Sequence, residues 1–290
     1  MASTQITSTL ESGDVTLFVR KFGAPGKMPV LVLHGANYYD SADWVDVSER
    51  LAVNRELATF DARGFGNSSW SASKDYGYAA ALGDIRAVLA HLGWMRAILV
   101  GHSRGGAQAL LAAARMPELV AGLALIDYNL MLGFGPPGGA PPPAAGASLP
   151  VFPTVEAALD SMTRYKTVPL TAGERARALQ FLEPVDDGFV LAKRDPWFLS
   201  HGASEAAGTG SPIVPRGGLD ELADTRCPVL IVRAKKSANF KPDDLARLGS
   251  MERLEIREID AGHDVIGEAP AAFVAALGDW LHLMRQPQRQ

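Results

Sequence analysis

Short runs of consecutive apolar residues recur along the chain and alternate with segments whose apolar residues repeat every three or four positions. The short runs are rich in Val, Ile and Leu, which is typical of strands buried on both faces of a parallel sheet. They predict strands at Val15–Val19, Val30–Leu33, Leu57–Phe60, Ala97–Val100, Leu123–Ile126, Val229–Val232 and Leu254–Ile259. The longer segments predict helices at Ala42–Ala52, Tyr78–Leu92, Ser103–Met116, Asp243–Leu248 and Ala271–Met284. This alternation predicts an α/β fold with a doubly wound, mostly parallel sheet.

The alternation is interrupted between Tyr128 and Thr225, where no run predicts a core strand. The interruption opens with a stretch rich in Gly, Pro and Ala, which cannot hold a regular helix or a central strand. Two amphipathic helices are predicted after it, at Val155–Tyr165 and Ala172–Leu182. We predict that this insertion is a cap over a pocket, the alternative being a surface excursion. The predicted organisation is a first part of the core at 1–127, the cap at 128–225 and a second part of the core at 226–290.

The composition indicates a globular protein but does not indicate its function. The chain has 290 residues, of which 47% are hydrophobic, and its 28 basic and 32 acidic residues give a formal net charge of −4. No cluster of Lys and Arg suggests nucleic-acid binding, and no apolar run is long enough to span a bilayer. The polar start does not resemble a signal peptide, and the lone Cys227 excludes an intramolecular disulfide. We expect a cytoplasmic enzyme with a small-molecule substrate; its oligomeric state is open.

The first candidate for chemistry is Ser103, in the run Gly101-His102-Ser103-Arg104-Gly105. This run follows a predicted strand and opens a predicted helix, where a sharp turn would expose a serine hydroxyl and leave no room for flanking side chains. The helix N-terminus adds unpaired N–H groups and a positive partial charge. We predict that Ser103 is a nucleophile.

A second turn, His34-Gly35-Ala36-Asn37, ends another predicted strand. It can direct a backbone N–H toward the negatively charged oxygen that forms when the serine attacks a carbonyl group. Ala36 and Arg104 are therefore the predicted backbone donors to this oxyanion, and together they would form an oxyanion hole. The predicted substrate-binding residues are Asn37, Tyr38 and Trp197. The side chain of Arg104 has two alternatives, binding a substrate carboxylate or turning away to pair with an acidic residue.

A serine hydroxyl needs a base, and the chain has six histidines. Only His263 directly follows the last predicted strand, in a turn that returns to the edge of the sheet where sites of open α/β folds lie. His34 and His102 belong to the two turns above and are interpreted as structural. We predict His263 as the base, and we interpret Asp61 and Arg63 as residues that fix a neighbouring loop.

These motifs, together with the Asp61–Ser68 loop and the Pro242–His263 region, resemble the α/β-hydrolase fold superfamily. The likeness covers about residues 28–128 and 226–284 and implies a triad in the order nucleophile, acid, histidine. A serine nucleophile disfavours the haloalkane dehalogenase and epoxide hydrolase subfamilies, whose nucleophile is Asp. The chain also resembles the type represented by N-formylmaleamate deformylase and acetamidomethylene-succinate hydrolase, which cleave small amides and carry the acid after the sixth strand.

The acid is where the chain departs from most of that superfamily. The stretch after Val229–Val232, where most members carry Asp, contains no carboxylate and offers only Asn239. Asp127 follows the preceding strand and is the predicted acid. The alternatives are Asn239, which could orient a histidine without stabilising its charge, and a water or a remote carboxylate.

This set of residues implies a serine hydrolase that cleaves a small carboxylic ester or amide, with no cofactor and no metal required. One alternative is non-hydrolytic chemistry on the same fold with His263 as base: C–C bond cleavage, cofactor-free oxygenation or a lyase reaction. Another is a binding module that has lost turnover. The residues do not name the substrate.

Overall fold

The computed structural model describes residues 5–36, 40–130, 149–163, 166–195, 218–239, 248 and 251–284. Its main feature is an eight-stranded sheet whose strands lie in the order β1-β2-β4-β3-β5-β6-β9-β10. The first two strands pair antiparallel with each other, β2 pairs antiparallel with β4, and the remaining neighbours are parallel. The strands are β1 (Ile6–Ser12), β2 (Val15–Gly23), β3 (Lys27–Leu33), β4 (Arg55–Asp61), β5 (Ala97–His102), β6 (Val120–Ile126), β9 (Val229–Ala234) and β10 (Leu254–Ile259).

Seven of these strands were predicted from their apolar runs, whereas β1 was not. Its sequence is mostly polar, and most of its residues are exposed or half-buried. An edge strand is held by its pairing with one neighbour and needs no continuous apolar run, so periodicity alone does not reveal it. The central β5 is the opposite case, because all six of its residues are buried.

Helices cover both faces of the sheet. A 3₁₀ turn at Ser41–Trp44 leads into α1 (Val45–Leu51), so the single helix predicted at Ala42–Ala52 is divided in two. The helices predicted around α2 (Tyr78–His91), α3 (Arg104–Arg115) and α8 (Pro270–Leu283) are confirmed to within one residue at each end. A short helix, α7 (Val265–Glu268), precedes α8. Of the helix predicted at Asp243–Leu248, only Leu248 lies within the described residues.

The apolar core has two parts, one on each face of the sheet. Leu99 and Leu125 contribute to the part beneath α2 and α3, together with Leu110 of α3. Val100 contributes to the part beneath α1 and α8, where Phe273 packs. Buried strands with side chains on both faces explain why their sequences read as continuous apolar runs.

We call residues 128–225, between β6 and β9, the inserted segment. Its described elements are α4 (Val155–Thr163), α5 (Ala172–Leu179), β7 (Leu182–Val185), β8 (Gly188–Leu191) and α6 (Gly218–Asp224). β7 and β8 form a hairpin of their own, and no described residue of the segment joins the main sheet. The hairpin was not predicted. Throughout the described ranges, no helix is both long and apolar enough to cross a membrane.

Candidate active site

Ser103 lies at a sharp turn between β5 and α3. Its backbone has φ 51° and ψ −117°, a strained conformation for a residue with a side chain, and its N–H donates to the Ile126 carbonyl at 3.1 Å. The flanking glycines are required by close packing: a Cβ at Gly101 would lie 2.3 Å from the Gly105 carbonyl oxygen, and a Cβ at Gly105 would lie 2.3 Å from that of Leu33. This is the strand-to-helix elbow that the sequence predicted.

The turn at the end of β3 is fixed by His34. The Nδ1 atom of its buried ring lies 2.7 Å from the carbonyl oxygen of Gly35, and its Nε2 accepts from the Ala62 N–H at 2.9 Å. Burial lowers the pKa of His34, which keeps the ring neutral and its Nε2 able to accept. Since Gly105 packs against the end of the same strand, the turn that contains Ala36 lies beside the elbow. Asn37 and Tyr38 are outside the described residues, as is Trp197.

Arg104 is the first residue of α3, so its backbone N–H lies at the helix N-terminus next to Ser103. Its side chain is buried, and the guanidinium carbon lies 5.1 Å from the centre of the Phe65 ring. Arg194 of the inserted segment contacts the same ring at 5.5 Å. Two guanidinium groups therefore lie against one buried aromatic ring near the elbow.

His263 and Asp127 are in direct contact. The imidazole Nδ1 lies 2.7 Å from Asp127 Oδ2, although 136 positions separate the two residues. Asp127 directly follows β6 with a positive φ of 44°, and its other oxygen accepts from the Ala234 N–H at 3.2 Å. The carboxylate is fully buried, so these donors compensate the loss of hydration of its charge. With Nδ1–H donating to Asp127, Nε2 of His263 is left as the basic nitrogen.

Asn239 completes this cluster from the end of β9. Its side-chain N–H₂ group donates to the Asp127 carbonyl oxygen at 2.8 Å and to Asp127 Oδ2 at 3.1 Å. The same nitrogen lies 3.1 Å from His263 Nδ1, because both groups donate to one carboxylate oxygen. The amide therefore orients the carboxylate.

His102 lies directly beneath His263. Its ring centre is 4.7 Å from that of His263, and its Nε2–H donates to the His263 carbonyl oxygen at 2.9 Å. Burial lowers the pKa of His102 to about 4, and the neighbouring His263 contributes in the same direction. His102 is therefore neutral near pH 7 and supports the backbone of His263.

The loop after β4 is held by buried carboxylates. Asp61 accepts from the backbone N–H groups of Ser41 and Asn67, each at 2.8 Å. Arg63 forms a two-pronged ion pair with Asp84, at 2.7 and 2.8 Å. These contacts agree with the interpretation of Asp61 and Arg63 as structural residues. Within the described ranges, no three His, Cys, Asp or Glu side chains are grouped in a way that could hold a metal ion.

The inserted segment contacts the loops around the elbow. The Asp195 N–H donates to the Gly64 carbonyl oxygen at 2.9 Å, and the Gly66 N–H donates to the Lys193 carbonyl oxygen at 2.9 Å. The ring of Phe65, between these two bonds, packs edge-on against His34 with 5.3 Å between ring centres. The segment is thus connected through one aromatic ring to the turn that holds Ala36.

A cavity of about 420 Å³ lies on the opposite side, between the inserted segment and the core. Its walls come from the 3₁₀ turn and α1, from α4 and α5, and from Asp264 and α7. Two cations line it: Lys166 forms an ion pair with Asp264, and Arg177 with Asp40 and Asp43. Burial raises the pKa of Asp43 to about 7, and the nearby Asp40 charge adds to the effect.

Sequence reasoning interpreted His102 as structural but did not find its contact with His263, nor the contacts of Lys166. Asn239 was considered as an alternative to Asp127 that could orient a histidine, and not as a donor to Asp127. No local signal marks these residues, because each acts on a partner that is close only in the folded chain.

The comparisons with known proteins agree with this geometry. A family model described as the alpha/beta hydrolase fold matches residues 28–270. The chain belongs to the α/β-hydrolase family. It is 29% identical to N-formylmaleamate deformylase of Pseudomonas putida over 266 residues, which cover 88% of this chain and 90% of that protein. It is 31% identical to 2-(acetamidomethylene)succinate hydrolase of Mesorhizobium japonicum over 246 residues, covering 83% and 82% of the two chains.

Two solved structures show that the fold is shared over almost the whole chain. A thioesterase domain from the curacin biosynthetic pathway aligns with a TM-score of 0.74 and 22% identity, covering 96% of this chain and 99% of that one. The structure of E-2-(acetamidomethylene)succinate hydrolase aligns with a TM-score of 0.71 and 23% identity, covering 96% and 100%. The expected resemblance to the deformylase and succinate hydrolase type is therefore confirmed. The relatives support an enzyme of the hydrolase class.

Proposed function

We propose that this protein is a serine hydrolase that cleaves a small carboxylic ester or amide through an acyl-enzyme on Ser103. The observation that supports it most strongly is the buried Asp127–His263 pair, with 2.7 Å between Oδ2 and Nδ1, at the strand ends that also carry the Ser103 elbow. A nucleophile, a base and a group that orients the base are the parts that acyl transfer requires.

In the proposed reaction, Nε2 of His263 accepts the Ser103 hydroxyl proton as Oγ attacks the substrate carbonyl carbon. The backbone N–H groups of Ala36 and Arg104 stabilise the oxyanion of the tetrahedral intermediate. The imidazolium, stabilised by Asp127, protonates the leaving alcohol or amine, and the acyl-enzyme remains. A water molecule then attacks the acyl carbon while His263 takes its proton. The bond from the acyl carbon to Ser103 Oγ breaks, His263 returns the proton to Oγ, and the carboxylic acid leaves.

The inserted segment is proposed to be a cap over this site. Its bonds to Gly64 and Gly66 place it beside the ring that packs on His34, and its ion pairs reach the turns on the other side. A cap would exclude bulk water from the site and strengthen the electrostatic interactions within it. Asn37, Tyr38 and Trp197 remain the proposed contacts to substrate.

The relatives that match most of the chain indicate where to look for a substrate. One is named for N-formylmaleamate and the other for 2-(acetamidomethylene)succinate, and both names describe N-acyl compounds that carry carboxylates. The substrate panel should therefore contain anionic N-acyl enamides beside neutral esters and lactones.

Labelling with a fluorophosphonate probe tests the proposal. We expect covalent labelling of Ser103 in the parent protein and none in Ser103→Ala, together with loss of hydrolysis in that variant. Folded parent protein that is not labelled would contradict the proposal. Uptake of oxygen with an aromatic substrate, unaffected by Ser103→Ala, would instead support the non-hydrolytic alternative.

A further inference from the structure

Two consecutive residues of the inserted segment, Lys166 and Thr167, contact two carboxylates that hold the turn of His263, those of Asp264 and Glu268. Lys166 Nζ lies 2.5 Å from Asp264 Oδ2, and Asp264 directly follows His263. Both side chains are buried, with 3% of the lysine and 7% of the aspartate exposed. Asp264 also caps α7 by accepting from the Gly267 N–H at 3.1 Å, so the lysine binds a carboxylate that is already fixed.

The other side of His263 is held through Glu268. Its Oε1 accepts from the Thr167 N–H at 2.8 Å, and its Oε2 accepts from the Gly262 N–H at 2.8 Å. Gly262 directly precedes His263. One carboxylate therefore connects the backbone of the inserted segment to the backbone of the turn that carries the base.

The packing of Gly262 shows how tight this connection is. A Cβ at residue 262 would lie 2.7 Å from Glu268 Oε1 and 2.7 Å from Thr167 Cγ2. Glycine therefore lets the turn approach the inserted segment closely enough for Glu268 to bridge them.

The charge of Lys166 is maintained in this buried position. Burial by itself would lower the pKa of the ammonium group, but Asp264 and Glu174 raise it above its ordinary value. Lys166 donates to Glu174 at 2.8 Å as well as to Asp264. Glu174 belongs to α5 of the inserted segment, and it links Lys166 to the start of that helix.

We propose that Lys166 and Thr167 are positioning residues that hold the turn of His263, so that the inserted segment is part of the catalytic apparatus as well as a cover. This inference rests on the proposed function, because it assigns the held residue as the base. A histidine that accepts the serine proton must be placed accurately, and a displacement of about 1 Å can cost about 100-fold in rate. Movement of the inserted segment would therefore change turnover directly.

The test compares Lys166→Met, which removes the charge and keeps the length, with Lys166→Arg, which keeps the donors. With p-nitrophenyl acetate, we expect kcat of Lys166→Met to fall by about 10- to 100-fold while KM changes little, because the turn of the base is loosened and the substrate contacts remain. The rate of fluorophosphonate labelling of Ser103 should fall by a similar factor. Lys166→Arg should recover most of both rates.

Glu174→Gln is the matched control, because it alters the other partner of Lys166 without touching the His263 turn. It should leave kcat near that of the parent; an equal loss in Glu174→Gln and Lys166→Met would overturn the inference in favour of general loosening.

Thr167→Val is a second variant, which removes one donor to Glu268. It should lower kcat several-fold, and it provides the test if Lys166→Met does not fold. Parent-like kcat in folded Lys166→Met, or in Thr167→Val if it alone folds, would overturn the inference and leave the proposed function intact. Absence of labelling in the parent would instead overturn the proposed function itself.

Discussion

The ends of the central strands and the inserted segment are held in place by different forces. Ser103 and Asp127 are fixed by backbone hydrogen bonds, from the Ser103 N–H to Ile126 and from the Asp127 N–H to Val232 at 2.8 Å. The inserted segment has backbone bonds to the core at Gly64 and Gly66 as well. It also reaches the core through charged side chains, as in the contacts of Lys166 with Asp264 and of Arg177 with Asp40.

The two kinds of contact differ in how far they depend on pH, on salt and on side-chain length. Backbone bonds within a buried sheet do not depend on pH or on salt, and they tolerate strained residues such as Ser103 because the surrounding core determines their conformation. Ion pairs depend on protonation and on the exact length of side chains. Ser103 and Asp127 thus lie on the rigid part of the molecule, whereas the inserted segment is attached in part by contacts that can change.

The largest effect is expected at the strand ends themselves. Asp127→Asn should lower kcat/KM by about 10⁴-fold, because the amide can no longer stabilise the imidazolium or fix its tautomer. Asn239→Ala should lower it only by about 10-fold, since the carboxylate keeps its bonds to His263 and Ala234. Steady-state kinetics of the two variants measures kcat/KM for each and checks both expectations. Equal activities of Asp127→Asn and the parent would remove Asp127 from the triad.

Two leucine-to-alanine substitutions, one in the main sheet and one in the inserted segment, compare the stability of these two regions. Leu125→Ala, in the buried β6, should lower the free energy of unfolding by about 2–5 kcal/mol through lost contacts and a cavity. Leu159→Ala lies in a small separate cluster with Met162, Ala178 and Phe181, so it should loosen the inserted segment locally. Urea denaturation measures the first effect, and limited proteolysis within residues 128–225 measures the second. A larger loss of global stability in Leu159→Ala than in Leu125→Ala would contradict this distinction between the main sheet and the inserted segment.

The pH dependence of stability tests the support beneath the base. An unfolded histidine has a pKa of about 6.5, and the folded-state pKa of His102 is about 4. The unfolded chain therefore binds the extra proton first as pH falls, so folding loses stability between about pH 6.5 and 4, by up to about 3 kcal/mol from this residue. His102→Gln, which keeps a donor, should show a smaller loss over that range. Denaturation curves at pH 7, 5.5 and 4.5 provide the measurement, and parallel losses in both proteins would exclude His102 as the source.

The smallest effects are expected for two arginines on α5. Arg175 pairs with Glu156 at the surface, where an ion pair contributes little, so Arg175→Gln should leave the free energy of unfolding nearly unchanged. Arg177→Gln leaves the buried Asp40 and the half-buried Asp43 without their cation and should cost about 1–3 kcal/mol. Thermal unfolding of the two variants gives the comparison. Equal shifts in Tm would show that the inserted segment is not held through Arg177.

The sequence by itself determined the central strands and the elbow. Continuous apolar runs marked strands such as β5 because residues buried on both faces must be apolar, and the glycines around Ser103 marked a turn without room for side chains. The edge strand β1 and the β7–β8 hairpin were missed, since a strand paired on one side or lying at the surface needs no such run.

Only the tertiary structure decided which residues surround His263. Asp127 and Asn239 were alternatives in the sequence, and the fold shows that both contact His263, one through a carboxylate and the other through an amide that orients it. The contact of Lys166 with Asp264 joins residues 98 positions apart. Such contacts depend on how distant segments pack, and no local pattern of residues records that packing. The candidate residues could thus be found from short motifs, whereas the contacts around them had to be seen in three dimensions.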